Sequence, residues 1–299
     1  MKRVIMAIPV TIIALLAGVV AVWAASGGHG HASAVTFEGS ENSSTVQLTG
    51  DVSFEYSGYR FTSGSAEIVV DKPDSSSPEA NMRQANFSGG VNITTPSGGR
   101  LAAPQIGVKK ISGQYEFTGT MKYSEGELSA TAKRFLFDST SEAITATGGV
   151  SAVYTGLKGF RKDDKSLHQL DFTGDGFTYN SQTGVLKNAG EERPKAEFDG
   201  LTVTAAELSV TLSRDGVIAM GAGGDIKLSG NGVSFSGLNA SYDAATGQMK
   251  VWGDVHYTRG GDEFQAGEAL WHLGEGGNRI TVKEGQGTIG VGGKGEPGN

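Results

Sequence analysis

The stretch Phe117-Thr118-Gly119-Thr120-Met121-Lys122-Tyr123, followed by Leu128-Ser129-Ala130-Thr131-Ala132-Lys133-Arg134-Phe135-Leu136-Phe137-Asp138, decides the fold. The first half alternates apolar with polar or small residues, and the second has an apolar residue, Ala soon after and an alternating apolar pair, which is the side-chain period of β-strands with one buried face. The first half returns as Leu48-Thr49-Gly50-Asp51-Val52-Ser53-Phe54, as Phe87-Ser88-Gly89-Gly90-Val91-Asn92-Ile93 and as Val251-Trp252-Gly253-Asp254-Val255-His256-Tyr257. Shorter copies are Ala146-Thr147-Gly148-Gly149-Val150 and Phe172-Thr173-Gly174-Asp175-Gly176-Phe177, and a weaker one surrounds Gly223 to Leu228. The second half returns in Leu201 to Leu212, in Leu238-Asn239-Ala240-Ser241-Tyr242-Asp243 and in Phe264 to Trp271. The repeating unit is therefore strand, turn, strand, with glycines at intervals of about 25–40 residues, the spacing of stacked supersecondary units.

Parity assigns the faces. Leu48, Val52, Phe54 and Tyr56 point one way and Thr49, Asp51, Ser53 and Glu55 the other, with Gly50 leaving room among the apolar set. Many such strands, with no helix to cover them, must turn their apolar faces against another part of the sheet. The expected class is all-β: an elongated β-jelly roll or folded-over antiparallel sheet behind one N-terminal hydrophobic helix. Composition agrees. Gly supplies 47 of 299 residues, about twice its usual share, and Pro only 7, which suits short strands and tight turns.

The N-terminus sets the compartment. A basic start, Met1-Lys2-Arg3, precedes an uncharged run from Val4 to Ala25, long enough to span a bilayer and closing on Val22-Trp23-Ala24, a small-residue cleavage pattern. Residues 1–25 are a signal-anchor or a cleaved signal peptide. Either fate places the remainder outside the cytoplasm, tethered by residues 4–25 or released as a soluble chain. Residues 26–44, rich in Gly, Ser, Ala and His, read as a flexible linker. The repeat fills 45–290 as one module, or as two (45–157 and 170–290) if the charged stretch Lys158 to Lys165 separates lobes rather than forming a loop. Residues 291–299 read as a disordered tail.

Chemistry is sparse. No cysteine and 5 histidines leave little material for metal or thiol sites, and a net charge of −7 spread along the chain argues against a nucleic-acid partner. His29 and His31 lie in the linker stretch, while His168, His256 and His272 are scattered. The string Gly285 to Gly290 has the dinucleotide spacing but is followed by a Gly-rich tail rather than a helix. Glu191-Glu192 and Asp163-Asp164 fall in expected loops, where solvated charge is the ordinary state. No catalytic residue, metal ligand or cofactor is assigned, and the chain is expected not to be an enzyme.

The Gly-x-Val strand followed by a Leu-x-Ala-x-x-apolar-x-apolar-Asp strand, behind a single N-terminal hydrophobic segment, resembles the OstA-like family of periplasmic lipopolysaccharide-transport proteins. The resemblance covers about residues 45–290 and is strongest over Phe117–Val153 and Gly230–Leu273. It implies a V-shaped β-jelly roll whose interior holds acyl chains of lipopolysaccharide or a similar glycolipid. Modules would stack edge to edge with other OstA-like modules, or with copies of themselves, and work with an inner-membrane ABC transporter complex in outer-membrane biogenesis. A retained anchor corresponds to an LptC-like role and a cleaved signal to an LptA-like bridge. The implied groove residues are Phe54, Tyr56, Val91, Ile93, Phe117, Met121, Tyr123, Phe135, Phe137, Tyr242, Val255 and Tyr257. The alternative function is an extracytoplasmic structural or polysaccharide-binding β-stack, an adhesin or scaffold in which the same residues fill a closed core.

Overall fold

The computed structural model describes residues 29–39, 43–71, 81–111, 114–138, 141–160, 165–213, 216–273, 279–283 and 285–288. Among these there is no helix, and nearly all lie in antiparallel strands. The expected N-terminal helix and the tail 291–299 fall outside the described residues. The chain forms two compact units, Met1–Gly148 and Gly149–Asn299.

In the first unit the strands run β1 (His29–His31), β2 (Ala34–Gly39), β3 (Ser43–Tyr56), β4 (Tyr59–Asp71), β5 (Asn81–Thr94), β6 (Arg100–Ile111), β7 (Gln114–Glu125) and β8 (Leu128–Asp138), with β9 (Ala143–Lys158) continuing past the division. From β3 to β8 each strand pairs antiparallel with its successor, a meander of hairpins. The turns follow from local chemistry. Ser57 and Gly58 both have positive φ (50° and 79°) between Tyr56 and Tyr59, the geometry whose twist matches that of the flanking strands.

The stretch read as a linker is corrected here. His29–His31 and Ala34–Gly39 are strands paired with β3, Val35 opposite Leu48 and Phe37 opposite Val46. Its small side chains suggest flexibility in isolation, but β3 offers a long row of backbone donors and acceptors, and two short strands satisfy them.

In the second unit the strands are β10 (Leu167–Asn180), β11 (Val185–Ala189), β12 (Lys195–Phe198), β13 (Leu201–Thr204), β14 (Glu207–Ser213), β15 (Gly216–Gly230), β16 (Val233–Asp243), β17 (Gln248–Arg259), β18 (Asp262–His272), β19 (Arg279–Lys283) and β20 (Gln286–Thr288). Both β11 and β12 pair with β10, and both β13 and β14 pair with β15. Each short pair is thus one strand interrupted at its middle, and the meander continues through β16, β17 and β18 to β19 and β20. Asp199-Gly200 and Asn231-Gly232, all with positive φ, close the hairpins β12–β13 and β15–β16.

The repeated glycine motif has a definite structural meaning. The ladder slips by one residue between Thr49 and Val52, between Ser88 and Val91, between Thr118 and Met121, and between Trp252 and Val255. These are β-bulges at mid-strand in β3, β5 and β7 of the first unit and in β17 of the second, and each bends its strand. In the pairs Gly50-Asp51, Gly89-Gly90, Gly148-Gly149, Gly224-Asp225 and Gly253-Asp254 both residues have positive φ. Only Gly enters that region freely, and Asp is among the few others that tolerate it. In β6 the matching slip falls across Ala102 to Gly107 and contains Pro104, which has no N–H to donate and so costs nothing in an unpaired bulge. The bulge also preserves parity: in β3, Leu48 before it and Val52 after it are both buried.

At Gly253, φ is +81° and an added Cβ would sit 2.9 Å from the Leu238 Cβ. Gly253→Val is expected to lose about 2 kcal/mol or more of stability in urea denaturation. Asp254→Asn, which keeps a residue tolerant of φ 52°, should stay within about 0.5 kcal/mol of the parent.

Candidate functional site: the apolar inner face

The inner face of the first unit is built by residues from both ends of the meander. The Tyr59 ring on β4 lies 5.0 Å from Tyr115 and 5.7 Å from Phe117, both on β7, and 6.5 Å from Phe137 on β8. Strands β5 and β6 separate β4 from β7 along the ladder, so these contacts require the sheet to fold over on itself. A polar clasp marks the fold: the Tyr115 hydroxyl donates to Ser57 Oγ at 3.0 Å, across 58 positions of sequence. Nearby, Met82 N–H donates to the Tyr56 hydroxyl at 3.2 Å.

The residues implied as groove-lining are all buried. Phe54, Tyr56, Phe117, Tyr123, Phe135 and Phe137 join one aromatic cluster, with Phe117 and Phe137 edge to face at 5.3 Å and Tyr123 at 5.6 Å from Phe135. Met121, Val91 and Ile93 are buried on the same inner face, Ile93 directly opposite Phe61 in the ladder. Tyr242, Val255 and Tyr257 belong to the second unit and line its own interior, where Tyr257 packs on Phe235 at 5.0 Å. None of these side chains exceeds 7% exposure. They meet one another rather than solvent.

Several members of the interior were not foreseen. Tyr59 and Phe61 share the inward parity of β4, and Phe61 stacks on Phe87 at 4.8 Å. In the second unit Phe160 sits between Phe198 at 5.0 Å and Tyr242 at 4.9 Å. Asp199 holds this segment, accepting the Phe160 N–H at 2.7 Å, and lies 3.3 Å from His168 Nδ1. The pairing of Leu170 with Phe198 brings His168 and Asp199 together, a proximity that no local motif announces.

Electrostatics follow burial. Desolvation, and next the neighbouring Tyr115, raise the Tyr59 hydroxyl, which is pushed up to about 12. Burial does the same for Tyr115, also pushed up to about 12 against the lowering effect of its bond to Ser57. For Tyr242 burial again leads, assisted by Asp243 and Asp199, and the value is about 12. On the outer face, hydrogen bonds from Lys250 and Lys283 lower the Glu268 carboxyl. His256 is half exposed on that face, within 3.2 Å of the Gln265 amide, as its parity implies. Glu191 and Glu192 are exposed, and the string from Gly285 enters β20 rather than a helix. Asp163 and Asp164 lie outside the described residues. Among the described residues no group of three or more His, Cys, Asp or Glu side chains could hold a metal ion, and no buried side-chain polar atom lacks a hydrogen-bond partner.

The raised tyrosines fix the sign of an alkaline transition. Below pH 10 the hydroxyls are protonated whether the chain is folded or unfolded, so their contribution is fully present. Between about 10 and 12 the unfolded chain releases protons that the folded chain retains, and stability falls. Thermal melts should show Tm declining over that window, and Tyr59→Phe should make the decline shallower.

No protein-family model matches the chain, and no curated protein matches it.

Proposed function

We propose that the chain is a periplasmic component of glycolipid transport to the outer membrane, holding acyl chains against the inner face of its bent sheet. The observation that supports this most is the continuity of that face. In each unit buried apolar side chains continue on both sides of the bulge, from Val46 and Leu48 through Phe54 in β3 and from Met249 and Val251 through Tyr257 in β17. An acyl chain needs such an unbroken apolar strip, because each buried methylene gains about 0.8 kcal/mol. Exposing a buried ring costs about 1.5–3 kcal/mol, so a chain of ~10 methylenes offsets the displacement of two or three rings. The interior packed by its own side chains is on this reading the unloaded state. The terminal strands would pair edge to edge with partner modules or with another copy. Residues 4–25 would tether the unit to the inner membrane beside an ABC transporter complex.

The dense ring packing favours a second reading, an extracytoplasmic structural β-stack whose core never opens. The two separate by crosslinking. A photo-reactive residue replacing Met121 or Tyr257 should give a glycolipid adduct in cells under the first reading. Melting data on the same variants establish that they fold. Folded variants that yield no adduct at either position would remove the lipid reading and leave the structural one.

A further inference from the structure

We propose that the outer face of the first unit binds a short neutral oligosaccharide in a trough that crosses its strands at the level of the bulges. This inference does not depend on the lipid reading, since it concerns the opposite face of the sheet. The trough is a cleft of about 520 Å³, within the size range of small-molecule sites. Its floor is backbone: Gly64, Gly89 and Gly90 contribute no side chain, and the Gly64 and Gly89 main chains approach so closely that a Cβ on Gly89 would lie 3.0 Å from the Gly64 Cα. The bulges take these residues out of the regular ladder, where the slips fall between Thr62 and Ser65 and between Ser88 and Val91.

One wall is a single rung of the ladder. His31 stands opposite Ser53 and Ser53 opposite Thr62, so an imidazole and two hydroxyls face outward in a row. Ser63 completes the lining beside the glycine floor. Hydroxyls both donate and accept, as do exposed peptide groups taken together, and this is the pattern that sugar hydroxyls complement.

Charge narrows the ligand class. Asp51 brings one carboxylate to the lining, and the guanidinium of Arg60 is already engaged by Glu55 at 3.2 Å. There is no surplus of positive charge to hold an anion, and the carboxylates are too few to hold a metal ion. Beside Val52 the lining consists of hydroxyls, the His31 imidazole, two charged side chains and bare glycine backbone, with no run of apolar side chains to seat an acyl chain.

The second unit supplies an internal comparison. There the corresponding level is filled: Leu238 packs over Gly253, and Arg193 spans Asp225, reaching its carboxylate at 2.9 Å and its carbonyl at 3.1 Å. An open trough is therefore not an automatic product of the repeat. The position occupied by Asp in Gly50-Asp51, Gly224-Asp225 and Gly253-Asp254 is Gly90 in β5, where an added Cβ would meet nothing within 4 Å. Glycine there keeps the trough clear.

The test is a titration of the full chain with chitotriose and, separately, maltotriose at millimolar concentration, followed by backbone amide shifts. At least one sugar should move the amides of Thr62, Gly64, Gly89 and Gly90 in a saturable way. Gly90→Asp, a residue the chain itself uses at equivalent bulges, should weaken binding more than tenfold. Leu238→Ala in the second unit should leave it unchanged. Thr62→Ala, a surface change that keeps the backbone, should weaken it about three- to tenfold and serves if Gly90→Asp does not fold. The proposal fails if neither sugar shifts these amides, if the shifts map elsewhere, or if the folded variants bind as the parent does.

Discussion

The bending of the sheet depends on a single backbone constraint: one residue too many for the ladder, placed at mid-strand in β3, β5 and β7 and again in β17. A sheet with such a column of bulges cannot stay flat, and its strands turn at a common level. In β3 and β17 the bulge keeps the alternation in phase, whereas in the partner strand β4 the inward set passes from Tyr59 and Phe61 to Ala66 and Ile68. A one-residue slip in phase would instead send Phe54 and Tyr56 to solvent and Ser53 and Glu55 inward. The paired positive φ angles of Gly50-Asp51 and Gly253-Asp254 are therefore a structural requirement of the interior, although they lie on the outside of it.

The same constraint divides the labour of the two faces. Inside, aromatic rings from distant strands close over one another, and the few hydroxyls among them are tied at the rim, as in Tyr115 to Ser57. Outside, where the bulges leave peptide groups unpaired by the ladder, short polar side chains and ion pairs such as Arg134 with Glu116 at 2.7 Å gather around them. A device that bends the sheet for the benefit of its core thereby creates surface relief on the other side. That relief is left open in the first unit and plugged by Leu238 in the second.

Much of this was legible in the sequence, and the rest was hidden for physical reasons. Period-two alternation identifies the strands and the inward set from Phe54 to Tyr257, because parity is local and burial enforces it. The glycines announced something recurrent, but a bulge is a relation between two strands, and a single strand's residues do not display it. His29–His31 and Ala34–Gly39 read as linker since their residues are small and only weakly alternating; their order comes from β3, not from themselves. The seating of Phe160 and the pairing of His168 with Asp199 depend on which strands become neighbours across a turn, information that no short window contains. The trough on the outer face belongs to a part of each strand that the motif left as ordinary polar positions.

The hairpin meander also has an evolutionary arithmetic. From β3 to β8 every strand pairs with its immediate successor, so contacts are close in sequence and the chain can grow by copying one hairpin without rerouting any other. Such a copy is silent only if it arrives as two strands with its bulge at the common level; a lone strand would reverse the direction of everything downstream. Duplication is therefore quantised in pairs, and lineages built this way should differ in length by whole hairpins rather than by single strands.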